Sequence, residues 1–244
     1  MVINVFKRYE MKYLLNKEQY ETLKKEVLKR LSPDEYGENT IQSLYYDTVD
    51  NRLIRSSLEK PIFKEKLRLR CYNLNDTNKD IYVEMKRKYD GVVYKRRLAC
   101  KENEAENLLE NSSNNSQIGK ELDYFTKFYG TLIPKMLIIY DREAYFDKNS
   151  QLRVTFDKNV RYRKNELNFH TNLNGESLLP EETILLELKT DAALPLWLCE
   201  ILDKEHINKT SFSKYGAAYE REFYKLENGR SNELCLNQSL VMAL

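Results

Sequence analysis

Residues 65–72 read EKLRLRCY, with Lys66, Arg68 and Arg70 at one parity and Leu67, Leu69 and Cys71 at the other. Alternate side chains of a β-strand face opposite sides, so this segment offers a cationic face and an apolar face. The habit recurs. Arg8, Glu10 and Lys12 share a parity, as do Glu84, Lys86 and Lys88. Lys95 and Arg97 share another, with Arg96 opposite them, and Glu187 pairs in the same way with Lys189. Arg142 stands in IYDREAYF and Arg153 in LRVTFD. Cations at two-residue spacing suit phosphate oxygens, which they hold by charge-assisted and, for Arg, bidentate hydrogen bonds. Isolated carboxylates among them could hold a divalent ion that bridges phosphates, since such ions require oxygen ligands. For Glu10 and Glu84 a neutralising ion pair is an equally open role. A single strand of this kind reads as a solvated face, whereas the repetition favours a surface for a polyanion.

The elements that must position these groups alternate along the chain. FKRYEMKYLL opens as a strand. NKEQYETLKKEVLKRL then reads as a helix with Asn16 as N-cap and Gln19 at the capping-box position, stopped by Ser32-Pro33. Strands are predicted at 41–47, 65–72 and 81–89, with a polar turn at NLNDTNKD, and Asp90-Gly91 turns the chain into VVYKRRL. Short helices are predicted over 50–57, 102–110 and 120–129, with NSSNNSQ as a candidate linker. Strands follow near 137–146, 152–156 and 184–190, separated by a loop-rich stretch at 161–182. PLWLCEILDKEH is an amphipathic helix, a short helix begins near Lys214, and a tail starts at Gly229. If the strands curl or close, their polar parity lines a cavity, and the helices cover the apolar parity outside.

The bulk numbers bound the function. The chain has 244 residues, 41% hydrophobic and 32% charged, which is the composition of a folded protein. Net charge is only +2, so charge distribution carries the argument. From Lys60 to Lys101 there are thirteen Lys or Arg against five Asp or Glu. No stretch is apolar enough for a signal peptide or a membrane span, and the four cysteines lack metal or disulfide spacing. These features point to a cytoplasmic protein with reduced thiols. The two histidines have no spaced partner for zinc. No GxGxxG or GxxxxGK[ST] occurs, so side chains must bind any nucleotide phosphate.

At these same residues the sequence resembles the VTC domain, the catalytic domain of vacuolar transporter chaperone polyphosphate polymerases, in its bacterial stand-alone form. The likeness runs from about Phe6 to Tyr224, through RYEMKY, SLYYDT, KLRLR, VEMKRK, YDREAY, RVTFD, LELK and SFSKYG. The domain is one of the triphosphate tunnel metalloenzymes (CYTH-like). The resemblance implies an α+β fold: an antiparallel closed β-barrel with a charged lumen and helices packed outside. It also implies one domain over 1–228 with a tail at 229–244.

Carried over, it implies that Lys12, Arg68, Arg70 and Lys86 bind phosphates and that Arg142, Arg153 and Lys189 line the same lumen. Glu187 matches the metal-binding glutamate, for Mn²⁺ or Mg²⁺. Ser213 and Lys214 match a closing phosphate-binding pair, and Lys95 or Arg97 supplies a further cation. Glu10, Lys88 and Tyr140 join the substrate-binding set. Lys209 is the substitute for the basic residue replaced by Ser211. Arg8, where the wider superfamily has its first carboxylate, weighs against ordinary tunnel triphosphatases and cyclases. The implied activity is transfer of the γ-phosphoryl group of ATP to inorganic polyphosphate, with no specific nucleic-acid partner. A metal-dependent triphosphatase and a non-catalytic polyphosphate-binding module are the alternatives.

Overall fold

The computed structural model describes residues 9–35, 37–72, 81–90, 92–110 and 116–228. Arg8, the turn at 73–80, Gly91, the linker tract at 111–115 and the tail from Gly229, with Cys235, lie outside the described residues.

The first elements are β1 (Tyr9–Leu15), α1 (Lys17–Arg30), β2 (Ser32–Pro33), β3 (Asn39–Thr48) and α2 (Arg52–Leu58). Next come β4 (Phe63–Tyr72), β5 (Ile81–Tyr89), β6 (Val92–Cys100), α3 (Glu102–Glu110) and α4 (Gln117–Tyr129). They are followed by β7 (Leu132–Phe146), β8 (Arg153–Arg163), β9 (Glu176–Ser177) and β10 (Ile184–Thr190). The last are α5 (Leu196–Lys204), β11 (Lys209–Thr210) and α6 (Lys214–Asn228).

Local chemistry sets the helix ends. At α1, Gln19 N donates to Asn16 Oδ1 at 2.9 Å and Asn16 N donates to Gln19 Oε1 at 3.0 Å, the capping box read from sequence. α2 is started from a strand: Asp47, at the end of β3, accepts from Leu53 N and Ile54 N at 2.8 and 2.9 Å. Ser116 caps α4 through Gly119 N, and Gly130 ends it at φ +74°, where a side chain would be strained.

The strands hydrogen-bond in the order β11-β1-β10-β8-β7-β3-β4-β5-β6, with β2 on β7 and β9 on β8. The pairs whose registers are described are antiparallel. The expected closed barrel is not formed. β11 and β6 terminate the order without pairing to each other among the described residues, so the sheet is open. Closure needs a continuous ladder between the two edge strands. One edge, β11, is two residues long and is taken up by Lys12 and Tyr13 of β1. What remains of the expectation is an α+β fold with a large antiparallel sheet and helices on its apolar face.

The chain divides into two compact units. Unit 1 comprises Met1–Asn39, Tyr140–Arg161 and Ser177–Leu244; unit 2 comprises Thr40–Ile139 and Tyr162–Glu176. In unit 1, Tyr13, Leu15, Val154, Phe156, Leu186 and Leu188 pack against Tyr20, Leu23 and Val27 of α1 and Leu198 and Leu202 of α5. In unit 2, Leu67, Leu69, Val83 and Met85 pack against Ala105 and Leu109 of α3 and Leu122 and Phe125 of α4. In both units the apolar parity is spent on this core, which leaves the other parity for the charged groups.

Candidate functional site

In unit 2 the registers turn parity into rows. Lys66, Lys86 and Lys95 lie opposite one another across β4, β5 and β6. The next row on that face is Tyr45, Arg68, Glu84 and Arg97, and the one after it includes Ser43, Arg70 and Tyr82. Lys64 and Lys88 oppose each other at the far end. Arg96 stands on the other face, held by Glu121 at 3.1 Å.

Glu84, 1% exposed, is the carboxylate at the centre of these rows. Arg68 Nη2 lies 2.7 Å from it, Lys95 Nζ 2.7 Å, Arg97 Nη2 2.6 Å and Arg70 Nε 3.6 Å. Burial raises its carboxyl, but these four cations hold it far below the usual carboxylate range. The Lys95 ammonium is also pushed down, to about 7, by burial and by Arg70, Arg68 and Arg97, against the pull of Glu84. Its side chain is 41% exposed, so water softens that push. Tyrosines back the guanidiniums: Tyr45 Oη accepts from Arg68, Tyr72 Oη accepts from Arg97, and Arg97 lies 4.5 Å from the Tyr82 ring centre.

Unit 1 builds its own cluster. Thr210, Lys12, Glu187 and Thr155 form one row across β11, β1, β10 and β8, and Glu10, Lys189 and Arg153 form the next. Glu187 is buried, with Lys189 at 3.2 Å, Arg142 and Lys214 at 3.4 Å and Lys12 at 3.7 Å. Asp157, fully buried, accepts from Arg142 Nε at 2.5 Å and from Lys214 Nζ at 2.5 Å. Burial raises both carboxyls, yet the cations hold Glu187 well below, and Asp157 below, the ordinary range. Lys214, buried beside them, is held above its ordinary value by Asp157 and Glu187. The Tyr140 ring has Lys214 Nζ at 4.5 Å and Arg142 Cζ at 5.1 Å from its centre.

The remaining candidates sit less centrally. Arg153 is half-exposed and ion-paired with Asp34 at 2.6 Å. Ser213 accepts from Gly216 N at the start of α6, and Lys12 Nζ donates to the neighbouring Phe212 carbonyl. Lys209 pairs with Tyr13 rather than Lys12, which sends it to the sheet face opposite the Lys12 row. Asp157, Tyr72 and Tyr45 were not singled out from sequence. Asp157 had a signal, the parity it shares with Arg153 in RVTFD, whereas the tyrosines were hidden among 18 of their kind.

A divalent metal is implied for such a site, and the residues do not fit a protein-built one. Among the described residues no group of three or more His, Cys, Asp or Glu side chains could hold a metal ion. The oxygens of Glu187 and Asp157 are instead engaged by Arg142 and Lys214.

Comparison with known proteins places the chain. The sequence profile of the VTC domain matches residues 7–223. No curated protein matches the chain. Among solved structures it is similar to a Bacillus halodurans protein provisionally assigned as an adenylate cyclase, at TM-score 0.51 and 13% identity, covering 86% of this chain and 94% of that one. A Hippeastrum protein, provisionally an adenylyl cyclase and described as having a dominant triphosphatase activity, aligns at TM-score 0.49 and 15% identity over 93% of this chain and 99% of that one. At such identities the likeness to the Bacillus protein speaks for the fold alone. The match over nearly the whole chain decides the family: the chain belongs to the VTC domain family.

Proposed function

We propose that the chain is an ATP-dependent polyphosphate polymerase. An oxygen of the terminal phosphate of a polyphosphate chain attacks the γ-phosphorus of ATP. A new P–O bond forms as the β–γ bridging bond breaks, and ADP leaves with that electron pair. No protein nucleophile is needed, so catalysis is positioning and electrostatic stabilisation of charge on the transferring group.

The observation that carries this reading is the row Lys66–Lys86–Lys95, flanked on the same face by Arg68, Arg70 and Arg97. Like charges directly opposite one another destabilise a sheet. A phosphate chain reverses that cost through charge-assisted hydrogen bonds. In unit 1, Lys12, Arg142, Lys189 and Lys214 take the same part beside Tyr140, with Glu10, Arg153 and Ser213 as accessory groups. Family members generally use a divalent metal. In this reading Mn²⁺ or Mg²⁺ enters as the counter-ion of ATP, and no step depends on a protein-built metal site.

The test is product analysis. Purified protein is incubated with ATP and Mn²⁺, products are resolved by length, and ADP is counted against orthophosphate. Polymerisation gives ADP and a ladder that lengthens with time. Orthophosphate without a ladder overturns the polymerase in favour of hydrolysis. Retention of long polyphosphate with no turnover leaves a binding module.

A further inference from the structure

We propose that Glu84 is the positioning residue of the unit 2 cation face, and that this carboxylate strengthens polyanion binding although it is itself an anion. The inference rests on the reading of that face as a phosphate-binding surface.

The geometry gives each oxygen of Glu84 to a different strand. Oε2 receives Arg68 Nε at 2.9 Å, with Arg70 Nε at 3.6 Å, both from β4. Oε1 receives Lys95 Nζ at 2.7 Å and Arg97 Nε at 2.8 Å, both from β6. One buried side chain on β5 thus fixes cations from both neighbouring strands, and long side chains held in advance lose less freedom when a ligand arrives.

The objection is Coulombic: deleting a negative charge should favour an anion. Lys95 answers it. The charged groups in its own row and the two that follow it toward Arg70 are Lys66, Arg68 and Arg70 from β4, Glu84 and Lys86 from β5, and Arg97 from β6. Glu84 is the one anion among them. Without it the crowd of cations and the burial act unopposed, and Lys95 sheds its proton at neutral pH. Removing Glu84 therefore adds one positive increment and takes another away. The loss of the Lys95 proton offsets part of the charge gained, and the alignment is lost.

Two measurements decide the matter. Without any ligand, side-chain NMR of labelled lysine, with Lys95 assigned from its loss in Lys95→Arg, follows the Lys95 titration. It should move down by about one pH unit or more in Glu84→Gln. An unchanged or raised midpoint overturns the proposal. With inorganic polyphosphate as probe, affinity of the wild type should decline above neutral pH as Lys95 deprotonates. In Glu84→Gln the decline should begin at lower pH, and affinity between the two Lys95 midpoints, just below neutral pH, should be roughly tenfold weaker. Equal or tighter binding by the variant overturns the proposal. If Glu84→Gln does not fold, Glu84→Asp keeps the charge on a stem too short to reach both strands. Its affinity should still fall about fivefold, and wild-type affinity there overturns the positioning role. A wild type that ignores polyphosphate defeats the phosphate reading alone, because the ligand-free titration still judges Glu84.

Discussion

Arg142 and Arg153 stand on neighbouring strands, each with a carboxylate partner, and burial gives them different weights. Arg142 and Asp157 have side chains 11% and 0% exposed, whereas Arg153 is 48% exposed beside Asp34. Arg142→Ala leaves buried Asp157 with Lys214, which also serves Glu187, and should cost about 3–5 kcal/mol, the range for breaking a buried pair. Arg153→Ala should cost less than about 1 kcal/mol. Urea unfolding midpoints of the two variants compare them directly, and equal shifts would contradict the assignment. Glu187→Gln keeps shape and removes charge from the centre of Lys12, Arg142, Lys189 and Lys214. Activity should fall by about 10²–10³-fold with the fold retained. Kinetics beside a thermal melt check both halves of that statement. At this scale the sequence was informative about faces and silent about partners. Arg142 and Glu187 could be placed on a polar face by parity, but nothing local says that Arg142 reaches Asp157.

At the scale of elements, legibility followed how local the cause is. α1 was readable because Asn16, Gln19 and the spacing of Tyr20, Leu23 and Val27 lie within one segment. Asn16→Ala should lower stability by about 1 kcal/mol while leaving phosphate chemistry intact. Gln19 adds a longer tie, donating to the Glu205 carbonyl beyond α5 at 2.9 Å. Gln19→Ala loses both its half of the capping box and this tie, so its denaturation midpoint should fall at least as far as that of Asn16→Ala. The main strands were readable from their period of two. β2, β9 and β11 were not, because two-residue strands exist only through their partners and carry no pattern of their own. The closed barrel went wrong for a related reason. Parity tells which face a residue takes, while closure depends on whether distant edges find each other.

Across the whole molecule the buried carboxylates set the response to acid. Glu84, Glu187, Asp157 and Glu143 all have carboxyls below their ordinary values in the folded state. Glu143 is held down to about 2 against the effect of burial, by Lys158, Lys24 and the Tyr20 and Tyr145 hydroxyls. As pH falls the unfolded chain takes up these protons first. The stabilisation is therefore present above about pH 4.5 and is lost as pH falls toward the folded values. Glu143 alone should contribute on the order of 3 kcal/mol, lost between about pH 4.5 and 2. Glu143→Gln should flatten that part of the stability curve, and an unchanged slope would exclude its role. No helix among the described residues is long and apolar enough to cross a membrane.

The interleaving of the two units along the chain bears on biosynthesis. Residues 40–139 of unit 2 form one uninterrupted block, while unit 1 needs segments on both sides of it. A ribosome delivers the chain in order, and domains fold as their parts emerge. β1 is translated early, yet its partner β10 appears only at residues 184–190, so nascent Lys12 waits for Glu187 through the synthesis of all of unit 2. During that wait β1 has an open edge, the kind of strand that mispairs with other chains. Ribosome-bound chains arrested before residue 184 should be cleaved readily by protease within residues 9–30 and resist it within 40–72 and 116–139.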